Sequence, residues 1–520
     1  MPVAVRRVTE PSQADTSGRA ATDVAAQIGP EPPESLPPPE SSRTDRRGPM
    51  RPPVLTPTRS RLTGWTLGVI FRVFDALALV LIGLAAAAMA AGDITPASVA
   101  PFAVGAIVLV WSLATARAYG FRQREGLGRH LVKVAAGFGI AALGLELLLL
   151  GFRPAVIAPR PFAIWLAGSL AAFYALHTVW WLMVRRWRGK GRLTPNIVVV
   201  GATANAERLI QAALRSREAA VLGVFDDRVG RIPPNISGVP VLGDTSAMLD
   251  HRIMPYVDKI VITVPQNAQA RVRQLIERLG VLPNQVMLFI DQGAASRDAT
   301  LSRITEAPLA PVSGEPSDER RALVKRIEDI VIGSLALLIA APVMLLIALA
   351  IKLDSPGPIF FRQRRHGFNS EVILVWKFRS MRHGADTSGG TRQIRFDDDR
   401  VTRVGRIIRR TSLDELPQIF NVLKGEMSLV GPRPHAVGMR TGSTESAKLV
   451  AEYAHRNRMK PGMTGWAAIH GSRGPVDTPE LVRRRVALDI EYIERQSLLL
   501  DLYIMAMTIP CLIGDEKTVR

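Results

Sequence analysis

The sequence predicts a membrane protein built from a four-helix transmembrane block, a Rossmann-like α/β domain and a second α/β domain anchored by a re-entrant helix. Three observations carry this. Four apolar stretches lie between residues 69 and 184; short β-branched runs alternate with helical patterns between 195 and 310; and a further apolar run of about 22 residues has a proline in its middle. The chain has 520 residues, enough for several domains, and is 47% hydrophobic while keeping 22% charged residues. Membrane and water-exposed parts therefore alternate. The formal net charge of +20 suits anionic headgroups or phosphorylated substrates. The single cysteine, Cys511, excludes an intrachain disulfide framework and a multi-cysteine zinc site.

Residues 1–62 are rich in Pro, Ser, Ala and Arg and lack hydrophobic periodicity, which predicts a disordered cytoplasmic tail with no cleaved signal. The transmembrane block is expected over 63–190, with apolar stretches at Val69–Ala91, Val99–Ala116, Leu131–Leu150 and Phe162–Val184. Arg72 and Asp75, three apart in the first, are placed to pair on a helix. Arg117, Arg122, Arg124, Arg129 and Lys133 cluster between the second and third stretches, and Arg185, Arg186, Arg188, Lys190 and Arg192 follow the fourth. The 92–98 loop has no Lys or Arg. The positive-inside bias puts both ends of the block in the cytoplasm.

The region 191–310 reads as the Rossmann-like domain. Strands are expected at Asn196–Val200, Val221–Phe225, Lys259–Val264 and Gln285–Ile290, and helices at Glu207–Leu214 and Ala270–Leu279. The Gly201-Ala-Thr-Ala-Asn205 run lacks the G-x-G-x-x-G spacing of a dinucleotide site, which favours a non-catalytic domain without a bound cofactor. Glu306–Pro316 reads as a linker. Ile330–Ile351 is uncharged, and as a straight helix it would span ~33 Å. Pro342 at its centre removes a backbone hydrogen bond, and basic residues flank both ends, Lys325 and Arg326 among them. A helix that enters the membrane at about 328, breaks at Pro342 and returns by about 352 is the expectation, with a full crossing the alternative. Leu498–Ile513 reads as an interfacial helix, with Asp501 its sole charge.

Chemistry-bearing residues concentrate in 320–520. Asp414 and Glu415 are adjacent carboxylates after Arg409-Arg410, and Pro417 suits a first helical turn, placing the pair near a helix N-terminus. Two readings stand side by side. One carboxylate attacks phosphorus while the other holds a metal; or Ser412-x-x-Glu415 is a capping box. Lys377 and Arg379 follow a strand-like Glu371–Trp376 and are expected to share a face. Gly431-Pro-Arg-Pro434 is a rigid turn presenting Arg433, and Pro461-Gly-Met-Thr-Gly-Trp466 is a second fixed turn. Cations on stiff backbone suit a diphosphate, although a solvated basic surface would look the same.

These motifs, in order, resemble the polyprenyl-phosphate hexose-1-phosphate transferases, the bacterial sugar transferases that start capsule, exopolysaccharide and O-antigen synthesis. The resemblance spans about 322–515. It rests on Lys325-Arg326 before the interrupted helix, Gly357-Pro-Ile-Phe-Phe-Arg-Gln363, Lys377-Phe-Arg-Ser-Met381, Thr402-Arg-Val-Gly405, Ser412–Gln418, Gly431–Pro434 and Pro461–Trp466. The N-terminal parts resemble those of the long, multi-domain members. The resemblance implies Asp414 as the nucleophile, Glu415 as the Mg²⁺ partner, and Lys377, Arg379, Arg410 and Arg433 as basic residues around the phosphates. It implies a UDP-hexose, glucose or galactose, and undecaprenyl phosphate as substrates, and the bacterial inner membrane as location with the catalytic domain cytoplasmic. Nucleic acid is not an expected partner. The oligomeric state is open, with a homodimer the expectation. One departure is Ala341 before Pro342, where the family often has Ser.

Two other classes fit the sequence less well. Membrane-anchored nucleotide-sugar dehydratases and epimerases need Tyr-x-x-x-Lys, and none of the six tyrosines has Lys four residues on. A non-enzymatic scaffold would need neither the acidic pair nor the basic clusters.

Overall fold

The computed structural model describes residues 55, 57–58, 63–91, 94–121, 125–152, 159–265, 268–289, 302–304, 307–313, 319–382, 400–441, 444–474 and 476–513. Nearly all of the tail expected over 1–62 lies outside them.

Four helices, α1 (Gly64–Ala91), α2 (Pro96–Thr115), α3 (Leu127–Phe152) and α4 (Pro159–Gly189), form the first block. Each is long and apolar enough to cross a membrane. Thr95 caps α2 and Pro96 occupies its first turn, where a missing amide hydrogen costs nothing. The seam is aromatic: Trp165 and Phe173 are buried, and Phe71 stacks on Trp180 at 4.5 Å. The expected Arg72–Asp75 pair is not what forms. Asp75 instead accepts from Tyr119 Oη (2.8 Å) and Trp180 Nε1 (3.1 Å) and lies 3.2 Å from His177 Nε2, while Arg72 lies over the Tyr119 ring. A buried carboxylate needs several donors, and one exposed arginine supplies them less well than three buried neighbours.

The α/β domain follows: β1 (Asn196–Val200), α5 (Ala204–Ser216), β2 (Ala220–Phe225), β3 (Asn235–Ile236), β4 (Val239–Gly243), α6 (Thr245–Leu249), β5 (Lys259–Ile262), α7 (Gln269–Leu279), β6 (Gln285–Phe289), β7 (Ser302–Ile304) and β8 (Ala307–Ser313). The sheet order is β3-β4-β2-β1-β5-β6-β8-β7. β1 pairs in parallel with β2 and β5, and both its faces are covered, as its five buried residues require. The stretch read as a linker is instead strand β8, antiparallel to β6 and β7. Pro308 and Pro311 each remove one ladder donor from β8, yet the strand pairs on both sides. The Gly201 turn is filled from within: Asp226 Oδ2 accepts from the Ala202 amide at 2.6 Å, and Arg228 donates to both Asp226 oxygens. These bonds hold the Asp226 carboxyl down at about 2.

Helix α8 (Glu319–Asp354) leads into the C-terminal domain and is helical throughout, so Pro342 does not end it. Then come β9 (Phe360–His366), β10 (Val372–Phe378), α9 (Arg403–Arg410), α10 (Gln418–Lys424), β11 (Ser428–Val430), β12 (Arg440–Thr441), β13 (Thr444–Glu445), β14 (Gly462–Thr464), α11 (Trp466–Ile469), α12 (Pro479–Arg495) and α13 (Leu498–Ile513). β9 and β10 form an antiparallel hairpin, and β11 pairs in parallel with β14. The α/β and C-terminal domains meet at Asn369, whose amide nitrogen donates to the Met254, Pro255 and Val257 carbonyls at 3.0–3.1 Å and whose Oδ1 accepts from Asn284. Asn369 has φ +52°, a conformation asparagine tolerates better than most residues.

Candidate active site

The site is assembled at the ends of strands and in tight turns, where the backbone cannot drift. β10 presents Lys377. β11 runs into Gly431, and β14 starts at Gly462. A Cβ on Gly431 would overlap the Lys460 carbonyl, and one on Gly462 or Gly465 would strike Gly431. Only glycines let these two turns close together, and that closure fixes Arg433.

The acidic pair lies in a short 3₁₀ turn, Leu413–Glu415, one turn ahead of α10. Ser412 enters this turn with φ +57° and makes no side-chain cap, so the capping box is not formed. Its hydroxyl instead accepts from Arg473 at 2.9 Å. Glu415 Oε1 accepts from Lys377 Nζ (2.8 Å) and from Arg433 Nη2 (2.7 Å). Asp414 Oδ2 lies 4.0 Å from the same Lys377 nitrogen. All four side chains are 13–16% exposed, recessed but open to solvent. The amides of Ile419 and Phe420 bond the Leu416 and Pro417 carbonyls, so the positive charge facing the pair comes from cations rather than from open helix amides. Burial pushes the Lys377 ammonium below its usual range, partly offset by Glu415 and Asp414.

One of the expected cations is engaged elsewhere. Arg379 donates to the Ser355 carbonyl and hydroxyl and to the Pro356 carbonyl, clamping the end of α8. β10 ends at Phe378, so the alternation that would align Arg379 with Lys377 no longer applies. Arg410 is exposed in the last turn of α9. Of the α8 residues, Arg326 donates to the Val422 and Leu423 carbonyls at 2.7 Å, capping α10, and Lys325 binds Glu328 (2.9 Å) and Asp501 (3.0 Å).

Three residues that sequence reasoning missed support the cluster. Arg365 bonds Gln363 and the Pro434 carbonyl. It lies on β9 with Phe361, which opposes Lys377; strand periodicity applied to β9 would have put Arg365 on the Lys377 face. Burial beside Arg433 lowers its guanidinium to about 10. Arg456 donates to the Arg433 carbonyl at 2.6 Å and pairs with buried Asp489 at 2.6 Å. No local pattern announces that pair, because its members are far apart in sequence.

No cluster of three or more His, Cys, Asp or Glu suited to a metal occurs among the described residues. The adjacent carboxylates still fit Mg²⁺, which takes one or two protein carboxylates and completes its shell with water and substrate phosphate.

Two neighbouring carboxylates among fixed cations, on a domain joined to a long apolar helix, define a membrane-associated phosphotransferase. Comparison with known proteins agrees. Residues 320–515 match the family described as bacterial sugar transferase, and 155–289 match one described as a CoA-binding domain. A UDP-glucose:undecaprenyl-phosphate glucose-1-phosphate transferase of Xanthomonas campestris pv. campestris is 33% identical over 469 residues, covering 86% of this chain and 94% of its own. A protein of the same description from Escherichia coli (strain K12) is 36% identical over 359 residues, 66% of this chain and 74% of its own. An exopolysaccharide production protein of Rhizobium leguminosarum bv. phaseoli is 49% identical over 187 residues, 36% of this chain and 94% of its own. The chain belongs to the bacterial sugar transferases of the polyprenyl-phosphate hexose-1-phosphate transferase type.

Proposed function

We propose that the protein transfers glucose 1-phosphate from UDP-glucose to undecaprenyl phosphate, giving undecaprenyl-diphosphate-glucose and UMP, and so initiates exopolysaccharide synthesis. The two of these relatives that match most of this chain carry that donor and acceptor in their names. The observation that carries the mechanism is the geometry of the dyad: Lys377 and Arg433 bond Glu415 at 2.8 and 2.7 Å, and Asp414 lies beside it with an oxygen 4.0 Å from Lys377.

Asp414 attacks the β-phosphorus of the donor. A new aspartyl O–P bond forms, the P–O bond to the UMP oxygen breaks, and UMP leaves with that electron pair. An oxygen of undecaprenyl phosphate then attacks the same phosphorus and returns the carboxylate to Asp414. Lys377 and Arg433 hold Glu415 in place and face the incoming anion, and Arg365 and Arg456 fix the Arg433 turn. Glu415 is the residue that would hold Mg²⁺, which when bound neutralises diphosphate charge. The two-step route lets a dissolved and a lipid substrate react in turn.

The α8 helix is read as re-entrant. Near its start Arg326 and Asp329 bond α10 and β11, and near its end Met344, Ile347 and Ile351 pack with Phe378 and Ile408. Both ends thus return to one domain, which a helix crossing a ~30 Å hydrocarbon core cannot readily do. Leu338, Ile339, Leu345 and Leu346, on either side of Pro342, are the apolar side chains this leaves exposed to lipid. The basic loops support a reading in which the α/β and catalytic domains face the cytoplasmic side of the inner membrane.

The test is to incubate purified enzyme with UDP-glucose labelled in the sugar, without lipid acceptor. Label on the protein, released by undecaprenyl phosphate and absent in Asp414→Asn, is expected. Sequential rather than ping-pong kinetics would overturn the covalent route. In a Cys511-free background, external thiol reagents should miss cysteines introduced near 280 and 400.

A further inference from the structure

A cleft of about 670 Å³ opens where the membrane block meets the α/β domain. Arg185 and Arg188 from the last turns of α4, and Arg215 and Arg217 from the end of α5, line it together with Trp181. We propose that this cleft binds the headgroup of an anionic phospholipid.

The charge is the first argument. The carboxylates acting on Arg188 are Glu125 and Glu218, and Glu125 is already bonded to Lys133 at 2.6 Å. Four arginines therefore outweigh the acids. Their planar guanidiniums suit a phosphodiester better than lysines would. The geometry is partly set beforehand: Arg188 donates to the Phe121 carbonyl, and Arg185 lies over the Trp181 ring at 5.3 Å.

Depth decides between a lipid and a dissolved phosphate. α4 is apolar up to Val184 and basic immediately afterwards, so the cleft lies where a spanning helix leaves hydrocarbon. Trp181 sits one turn inside that boundary, the level at which indoles collect at headgroups. Val184 and Leu214 add apolar wall beside the arginines. Mixed apolar and cationic lining at interfacial depth fits a headgroup with the first carbons of its chains. A phosphate ion would leave most of the cleft unfilled. The cleft is built from the first block and the α/β domain and includes neither Asp414 nor Glu415, so it does not depend on the mechanism proposed for them.

The full-length protein in neutral detergent is titrated with phosphatidylglycerol and, separately, phosphatidylcholine, and bound lipid is counted by native mass spectrometry. One saturable phosphatidylglycerol is expected, with little retention of phosphatidylcholine. Each arginine near an anionic headgroup is worth about fivefold in affinity, so Arg215→Gln/Arg217→Gln should weaken retention by roughly 25-fold. Arg186→Gln, in the same basic turn but not lining the cleft, should stay within about twofold of the parent. Equal losses in both variants would reduce the effect to a general basic surface and overturn the proposal. So would unchanged retention in the double variant with its melting temperature intact. Displacement of the lipid by coenzyme A, UMP or inorganic phosphate would assign the cleft to a soluble anion and equally overturn it.

Discussion

Asp75 and Asp414 are both recessed aspartates with polar partners, yet they are opposite kinds of site. Asp75 is fully buried, and Tyr119, His177 and Trp180 surround its two oxygens. Asp414 is partly exposed, and Lys377, 4.0 Å from it, is more tightly engaged with Glu415 at 2.8 Å. The first arrangement satisfies a charge and seals it, so it can only hold helices together. The second keeps an anion beside cations with an opening toward solvent, which is what a nucleophile approaching a diphosphate needs.

The sharpest way to break that contrast is Asp414→Asn. Activity should fall by on the order of 10³ or more, with the melting temperature near the parent's, measured by product extraction and thermal unfolding. Activity close to the parent would make Asp414 as structural as Asp75. Glu415→Gln should cost ~10²-fold in turnover, because Lys377 and Arg433 lose the charge that positions them. Raising Mg²⁺ should recover part of that loss only if Glu415 is a ligand.

Asp75→Ala should do the reverse. Three buried donors lose their acceptor, a cost of roughly 3 kcal/mol in stability, while turnover of the folded fraction stays near normal. A catalytic loss without lower stability would show that the membrane cluster serves the reaction.

The pH profile sharpens the comparison further. Burial lowers the Lys377 pKa, so its positive charge is lost, as pH rises, before the ordinary lysine value of 10.5. Transfer should fall on the alkaline side, and Lys377→Arg, which stays charged, should carry the descending limb to higher pH. The smallest effect is expected from Arg379→Lys. It loses bonds to the carbonyls at the end of α8, worth about 2 kcal/mol of stability, but should leave the kcat of folded enzyme close to the parent's.

Much of this was legible in the chain because it depends on local order. The four apolar helices, β1, β2, β5, β6 and α7 follow from periodicities of 3.6 and 2, and their positions were read to within a few residues. β8 was not, because its prolines weaken any strand signal and only the pairing with β6 and β7 defines it. Arg379 was placed with the phosphate ligands because its spacing from Lys377 is right within a strand, and only the structure shows that the strand stops first.

The amino-acid sequence by itself determined the order of the parts and the types of residue at the site: adjacent carboxylates, a lysine two residues before an arginine, and two glycine-proline turns. Tertiary structure decided their roles. Whether Ser412 caps Glu415, whether Arg379 meets a phosphate and which carboxylate takes the cations depend on contacts between residues far apart in the chain, such as Lys377 with Glu415 or Arg456 with Asp489. Such contacts leave no periodic signature, because packing rather than spacing selects which donor reaches which acceptor.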